Sequence, residues 1–366
     1  MLRTAYPKDR EELKALWALC FDEDPDFLNW FFEKRYIPSY CSVYERDGKI
    51  VGCAHSMPLN VRIRGHILPC AIICGVSTHP DYRKQGIGRS VMQHLMHILH
   101  EYGVVLAPHR PSRLNTYFSI GHYPVSDSMY IEEASSHPVP EAAEAEPIDI
   151  AQAYDPLYVC YSRFMQRYSG VIQRSYGDFV FKCQDYLSCD AKCVIYRNNG
   201  IPEGYCIYFE TPEDINGEEL VANSVQAYQA LYSDMRLRAS GKSYVLRTAN
   251  DAPSPNTGAQ VSIVPRGVMG LVSVSPLLSV LGLQGCSIEV IDNTVPENVG
   301  IYDLSGQKTS KAPQLRIEAG RLSQWAAGYR SINDIISAGE AKLLDGAILP
   351  VMEKLAPCPC FIFDEY

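Results

Sequence analysis

No Cys-x-x-Cys pair occurs among the thirteen cysteines of this 366-residue chain, and their odd number leaves one over in any complete pairing. Zinc-ribbon and dithiol redox motifs are excluded on that spacing. Cys189-x-x-x-Cys193 and Cys358-x-Cys360 have a loosely metal-like spacing, but no histidine cluster accompanies either, so no metal is expected. Cys53, Cys70, Cys74 and Cys206 fall inside runs that read as strands, where cysteine acts as a small hydrophobe. An apolar run of about 20 residues, long enough to span a bilayer, is missing too. So is a secretory signal pattern, and the two together lead us to expect a cytoplasmic protein without a membrane span. Positive charge is also scarce: 33 Lys and Arg against 42 Asp and Glu give a net charge of −9. That balance argues against nucleic acid as a partner and favours attraction of cationic amines.

Two phosphate-binding motifs are absent from the chain's most distinctive turn. Gly86-Ile87-Gly88-Arg89 is not followed by the Lys and Ser or Thr of a P-loop, and Val91 stands where a dinucleotide fingerprint needs its third glycine. What is present is a β-branched run from Ile72 to Thr78, stopped at Pro80, then a basic glycine-containing turn. That turn opens a helix with Val91, Leu95, Ile98 and Leu99 on one face. The first N–H groups of such a helix lack intrahelical partners and its start is positive, so an anion is well placed there. The plainer reading is an ordinary strand-to-helix turn. His94, His97 and His100 recur every three residues on this helix and read as a solvated face.

The string Val76-x-Thr78-x-Pro80, followed by Arg83-x-x-Gly86-x-Gly88, resembles motif A of the GNAT acyltransferases. The resemblance implies acetyl-CoA as co-substrate. Val76 and Thr78 would offer backbone groups to its pantetheine arm, with Ser77 between them also cofactor-binding, and Arg83, Lys84, Gln85, Gly86, Ile87, Gly88, Arg89 and Ser90 would hold its pyrophosphate. Further on, Tyr117-Phe118-Ser119-Ile120-Gly121-His122 is similar to the Tyr-x-x-x-Gly-aromatic signature of the same family, with His122 departing from the usual Phe or Tyr. By that resemblance Tyr117 is the general acid that protonates the departing thiolate. The alternative is a core tyrosine whose hydroxyl simply finds a partner.

Length argues for two or three domains. Ahead of the motif, Asp9 to Glu12 reads as a capping box before Leu13, Leu16, Trp17 and Cys20 at helical spacing. Cys41–Tyr44 with Ile50–His55, and Asn60–Arg64 with Ile67–Ile73, read as two hairpins. Residues 135–147, rich in Ala, Glu and Pro, read as a linker. Beyond it, strand, strand, helix (Leu220 to Arg238) and strand echo the first unit without a second Gly-x-Gly turn. The last third has strands near Val261–Val264, Ser287–Ile291 and Gly300–Leu304, then helices at Arg321–Ala327, Ile332–Ser337 and Ala347–Leu355.

Val290-Ile291-Asp292 through Asn298, Gly328-Tyr329-Arg330-Ser331 and the ending Phe361 to Tyr366 look like the sterol-carrier-like domain of Eis-type (enhanced intracellular survival) acetyltransferases. The expected fold class is thus α/β (α+β). Residues 1–134 form a GNAT domain on a mixed sheet, 135–256 a degenerate GNAT-like unit, and 257–366 a sterol-carrier-like domain. The Met-x-Arg that often opens this last domain is Met269-Gly270-Leu271 here. The resemblance implies that the carboxylate of Tyr366 enters the active site to take the amine's proton; the alternative is a frayed terminus. It also implies a homo-oligomer, with a hexamer as the family pattern. By the same resemblance Phe21, Asp22, Asp24, Trp30 and Phe31 line the acceptor pocket, able to hold an amine by ion pairing and cation–π contact. Solvated acids beside core aromatics is the other reading of that stretch. The function expected is N-acetyl transfer to a primary amine of a cationic acceptor: aminoglycoside-like, polyamine or lysine. The alternative is a non-catalytic binder of CoA and lipid.

Overall fold

The computed structural model describes residues 1–133, 145–254 and 258–364. The linker expected at 135–147, both expected domain boundaries and Tyr366 fall wholly or largely outside the described residues.

The chain opens with strand β1 (Leu2–Thr4) and helices α1 (Arg10–Cys20) and α2 (Pro25–Lys34). Leu13, Leu16 and Trp17 recur at helical spacing and are buried, so α1 packs inward along that stripe. The expected capping box does not form. Asp9 instead accepts from Arg3 at 2.7 Å and from the Tyr6 N–H, while Glu12 accepts from the Ile50 N–H at 2.7 Å. Strands β2 (Cys41–Arg46), β3 (Lys49–Ile63) and β4 (His66–Thr78) form one antiparallel meander, because β3 runs unbroken for 15 residues through both expected hairpins. Helix α3 (Ile87–Glu101) then crosses over to β5 (Leu106–His109), parallel to β4, and β6 (Tyr123–Glu133) follows.

The second unit holds β7 (Glu146–Pro147), α4 (Tyr154–Met165), β8 (Val171–Ile172) and α5 (Tyr176–Ser188). After these come β9 (Lys192–Asn198), β10 (Ile201–Glu210), β11 (Asp214–Ala222), α6 (Val225–Arg238) and β12 (Ser243–Ala249). Leu220 to Ala222, expected at the head of a helix, end strand β11; the helix starts only after Ser224. Next comes β13 (Gln260–Leu271). Residues from 257 on were assigned from sequence to the third domain, yet this strand lies between β5 and β6, antiparallel to both. One 13-stranded sheet therefore spans both units, in the order β1-β2-β3-β4-β5-β13-β6-β12-β11-β10-β9-β7, with β8 on β3.

The remaining residues form α7 (Val274–Val280), β14 (Ser287–Ile291), β15 (Gly300–Asp303), β16 (Leu315–Glu318), α8 (Ala319–Ala327), α9 (Ile332–Ser337), β17 (Ala341–Leu343) and α10 (Leu349–Met352). Their four strands run in the order β15-β14-β16-β17. Trp325, fully buried, fills the interior with Leu322, Ile317 and Ile335. This module docks on the first unit through α3. His97 Nδ1 lies 2.9 Å from Glu297, the His100 ring 3.0 Å from the Val272 carbonyl, and Gln93 Nε2 donates to Asn293 O. His94 meets Ser42 Oγ at 2.9 Å. The histidine face is thus also a contact surface, though His97 stays exposed and His94 and His100 are only partly buried. Among the described residues no helix is long and apolar enough to cross a membrane.

Candidate active site

The site begins where β4 and β5 part. Cys70 and Leu106 are their one registered pair. Beyond it the strands diverge, with Ile73–Val76 on one wall and His109 and Arg110 on the other. The cause is local. Trp17 packs among Phe21, Phe27, Phe31, Phe32 and His55. Its ring lies 2.4 Å from where a side chain on Gly75 would begin, at φ +53, so only glycine fits. The β3–β4 register shifts there: Cys53 pairs with Ser77 and His55 with Cys74, leaving Gly75 and Val76 opposite Ala54. This is a bulge, and bulges bend a strand and re-aim its residues beside a site.

At the end of β4 the helix start takes shape. Lys84 (φ 62) and Gly86 (φ 78) are both left-handed, a backbone alternation that turns successive N–H groups toward one point. Gly86 caps α3 without any side-chain bond, so the first-turn N–H groups face outward. A Cβ on Gly88 would meet only Thr78 Oγ1, at 3.5 Å, so the helix start is open on that side. Ile87 is buried, and a Cβ on Gly52 would lie 2.4 Å from it, so β3 yields room for the helix to settle. Arg83, Lys84 and Arg89 are exposed around the turn. Arg83 donates to the Thr78 carbonyl at 3.2 Å, Gln85 accepts from Arg46, and Ser90 Oγ donates to the Gly86 carbonyl. Ser77 is buried and donates to Gly75 O. Pyrophosphate chemistry fits this arrangement: outward donors, two small residues and three cations.

From the parted strands a cavity of about 620 Å³ opens. Tyr117, on a short 3-10 helix (Leu114–Ile120) closed by left-handed Gly121, lies on its wall. Its ring meets His109 edge-on at 4.6 Å, and His109 Nε2 meets His122 Nδ1 at 2.9 Å. Burial pushes the Tyr117 phenol up to about 12 and lowers His122 to about 3; burial first, then His122, holds His109 well below its usual range. The phenol is therefore a retained proton donor beside two neutral imidazoles. His122, the family departure, rests on Gly270, where a Cβ would fall 2.2 Å from its Nε2.

Of the acceptor residues expected from sequence, Phe21 and Asp24 line this cavity, and Val76 and Tyr117 lie with them. Asp24 also caps α2 through the Asp26 N–H at 2.7 Å. Phe31 faces the core against Trp17 at 4.8 Å, Trp30 packs on the same core, and Asp22 is exposed. The second unit supplies the far wall, which sequence reasoning missed: Lys182, Asp185, Tyr186, Phe209 and Glu218. Lys182 pairs with Asp185 at 2.5 Å, and Glu218 with Arg247 at 2.6 Å. Behind that wall Arg174, fully buried, donates to Glu219 and to Asp364 at 2.7 Å. The Phe363 carbonyl accepts from Arg110 at 3.1 Å and from Arg247 at 2.9 Å, which ties the C-terminal tail to a cavity-lining residue.

This fold and site define an acyltransferase. Residues 1–125 match the acetyltransferase (GNAT) domain model, and residues 276–357 match that of the sterol carrier protein domain. Residues 1–125 are thus a GNAT acetyltransferase domain and residues 276–357 a sterol carrier protein domain, and the fold as a whole is the one shared with Eis-type structures. It superposes on a probable N-acyltransferase from Enterococcus faecalis with TM-score 0.83 at 18% identity, covering 100% of this chain and 99% of that one. A GCN5-related N-acetyltransferase from Anabaena variabilis gives 0.82 at 17%, and Eis1 from Mycobacterium abscessus 0.77 at 17%, each with 100% of both chains covered. No curated protein matches the sequence.

Proposed function

We propose that the protein is an acetyl-CoA-dependent N-acetyltransferase acting by direct transfer to a primary amine of a cationic acceptor, aminoglycoside-like, polyamine or lysine. One observation carries this reading: the Tyr117 phenol stands on the wall of a cavity of about 620 Å³ that β4 lines through Val76, and the same strand runs on from there to the basic start of α3, which no side chain caps. That volume is in the range of small-molecule sites. Bound there, the co-substrate supplies an activated acyl thioester. The α3 start with Arg83, Lys84 and Arg89 would hold its pyrophosphate. Glu23 and Asp24, beside Phe21 and Phe27, offer charge and aromatic faces to a cationic amine.

The amine nitrogen attacks the thioester carbon, the C–S bond breaks, and Tyr117 gives its proton to the departing sulphur. The amine's own proton needs a base. The Tyr366 carboxylate is our candidate, and the fastening of Phe363 to Arg110 supports it by bringing the tail to the cavity wall. The test is CoA release from acetyl-CoA with an aminoglycoside, spermidine and a lysine peptide, before and after deletion of Tyr366. Release with at least one amine, lost on deletion, is expected. Release with none overturns the reading, and release unchanged by the deletion overturns the role of Tyr366.

A further inference from the structure

The pair Cys358-x-Cys360 lies on the strap that carries Phe361–Asp364 to the active-site wall, and no step of acyl transfer uses it. Both sulphurs turn to one acceptor, the Ala327 carbonyl, at 3.5 and 3.3 Å, and Cys360 also reaches the Cys358 carbonyl. The two thiols are therefore neighbours. Cys358 is half-buried at the edge of a second cavity of about 290 Å³, lined also by Asp127, Asn250, Gly328, Tyr329 and Cys360. Its sulphur packs over Gly328, 2.3 Å from where a side chain would begin, and the Arg64 guanidinium lies 3.1 Å from the same point. Arg64 is fixed there by bonds to the carbonyls of Ala326 and Ala356, at 2.8 and 2.9 Å.

A cation and a thiol donor beside a sulphur favour its thiolate. The Cys360 hydrogen bond, then Arg64, bring the Cys358 thiol down to about 6. Burial pushes up the thiols of the buried cysteines in the first two units, Cys41 and Cys193 among them. Nucleophile, neighbouring thiol, fixed cation and room for a small reagent thus meet at one surface opening.

We propose that Cys358 is a thiol-modification site for low-molecular-weight disulfides, with Cys360 as the resolving thiol, and that its modification unfastens the tail from the active-site wall. The Cys358 thiolate attacks one sulphur of the reagent, forming a mixed disulfide and expelling a thiolate that takes a proton from solvent. Cys360 attacks Cys358 Sγ, closes the Cys358–Cys360 disulfide and expels the second reagent sulphur as a thiolate, which takes up the proton that Cys360 gives up. The protein loses two electrons and two thiol protons, and the reagent disulfide becomes two thiols. The strap cannot keep its present bonds through this. Both sulphurs leave the Ala327 carbonyl, and the contacts of Cys358 N with Gly328 O at 3.0 Å and Ser169 N with Pro359 O at 2.8 Å lie on the segment that must reshape. Ile362, whose N–H donates to Ser126 Oγ at 2.9 Å, follows directly.

The site rests on the geometry alone, whereas its effect on activity rests on the acyl-transfer reading. The experiment treats the full reduced chain with oxidised glutathione at neutral pH. Adducts are mapped by mass spectrometry, hydrogen exchange is followed at Phe361–Asp364, and CoA release is assayed. The expected result is a first adduct at Cys358, then a Cys358–Cys360 disulfide, with faster exchange in the tail. Transfer should fall on the order of 100-fold, the cost of a misplacement of about 1 Å, and Cys358→Ser should keep activity and resist the reagent. A first adduct at Cys20, Cys189 or Cys286 would overturn the site. Modification at Cys358 with unchanged tail exchange would overturn the coupling. If untreated protein releases no CoA while the adduct map holds, the transfer reading fails and the site stands.

Discussion

The sheet contains two parallel crossovers built on one plan, β4–α3–β5 and β11–α6–β12, and they differ most at the start of the helix. Helix α3 follows a long basic turn, is capped by left-handed Gly86 and receives no side-chain bond. Helix α6 follows β11 by two residues. Ser224 Oγ accepts from the Ala227 N–H at 3.1 Å and donates to Glu203 at 2.6 Å, the Asn223 N–H reaches the Glu203 carbonyl, and Asn223 Nδ2 reaches Cys160 O. Topology is shared, but the second start is satisfied internally and has a carboxylate on it. Capacity for an anion is set by what caps a helix, not by the crossover that places it. The second unit contributes a wall and an anchor.

The largest expected effect falls on the first unit. Tyr117→Phe should lower kcat by roughly 10²- to 10⁴-fold, the usual worth of a positioned general acid, with CoA affinity unchanged; a kcat near wild type would leave the tyrosine as a packing residue. Next comes the second unit's anchor. Arg174→Ala strands Glu219 and Asp364 without their cation, and removing one partner of such a buried group costs about 3–5 kcal/mol. Denaturant unfolding should show that loss, whereas a change within error would mean the triad is not what holds the tail.

Acid should separate the units. His55 and His122 are held at about 3 by burial, below the 6.5 of the unfolded chain. The unfolded state therefore takes up protons first, and the first unit is fully stable above about 6.5 and loses stability as pH falls below it. Burial raises Glu219, but Arg174 and the tyrosine hydroxyls more than offset it, leaving it below 4.5. Its contribution is full above 4.5 and is lost only as pH falls through that lowered value. At pH 5, hydrogen exchange should quicken in the first unit before the second; the reverse order would contradict these assignments. The smallest effect belongs to Ser224→Ala, which should cost about 1 kcal/mol, a typical N-cap, without changing CoA affinity.

How far the sequence foretold this depended on how local each feature was. The α3 turn, the Tyr117–Gly121 spacing and the order of the acetyltransferase and sterol carrier protein domains are carried by contiguous residues, and they were legible. The place of β13 was not, because a strand's neighbours are chosen by long-range register that alternation alone does not encode. Leu220–Ala222 continued apolar into Ala227–Leu231, so strand and helix merged into one run. The far wall of the cavity, from Lys182 to Glu218, lies on three elements of the second unit and has no local signature. Asp9 looked like a cap until Arg3, six positions earlier, took its carboxylate. Gly75 could have been noticed, since a glycine interrupting a β-branched run suggests a bulge or a close approach.

The central claim is that the α3 start holds an acyl-CoA pyrophosphate, and titration calorimetry of CoA and acetyl-CoA tests it most directly. Gly88→Glu leaves ordinary contact with Thr78 and puts a carboxylate where helix starts favour one, so the variant should fold at least as well as the native chain. The native protein should bind with Kd roughly in the range of 1 μM to 1 mM. The variant should bind roughly 100-fold more weakly, about 2.8 kcal/mol. No heat from the native protein with either ligand, or equal affinity in the folded variant, would contradict the claim.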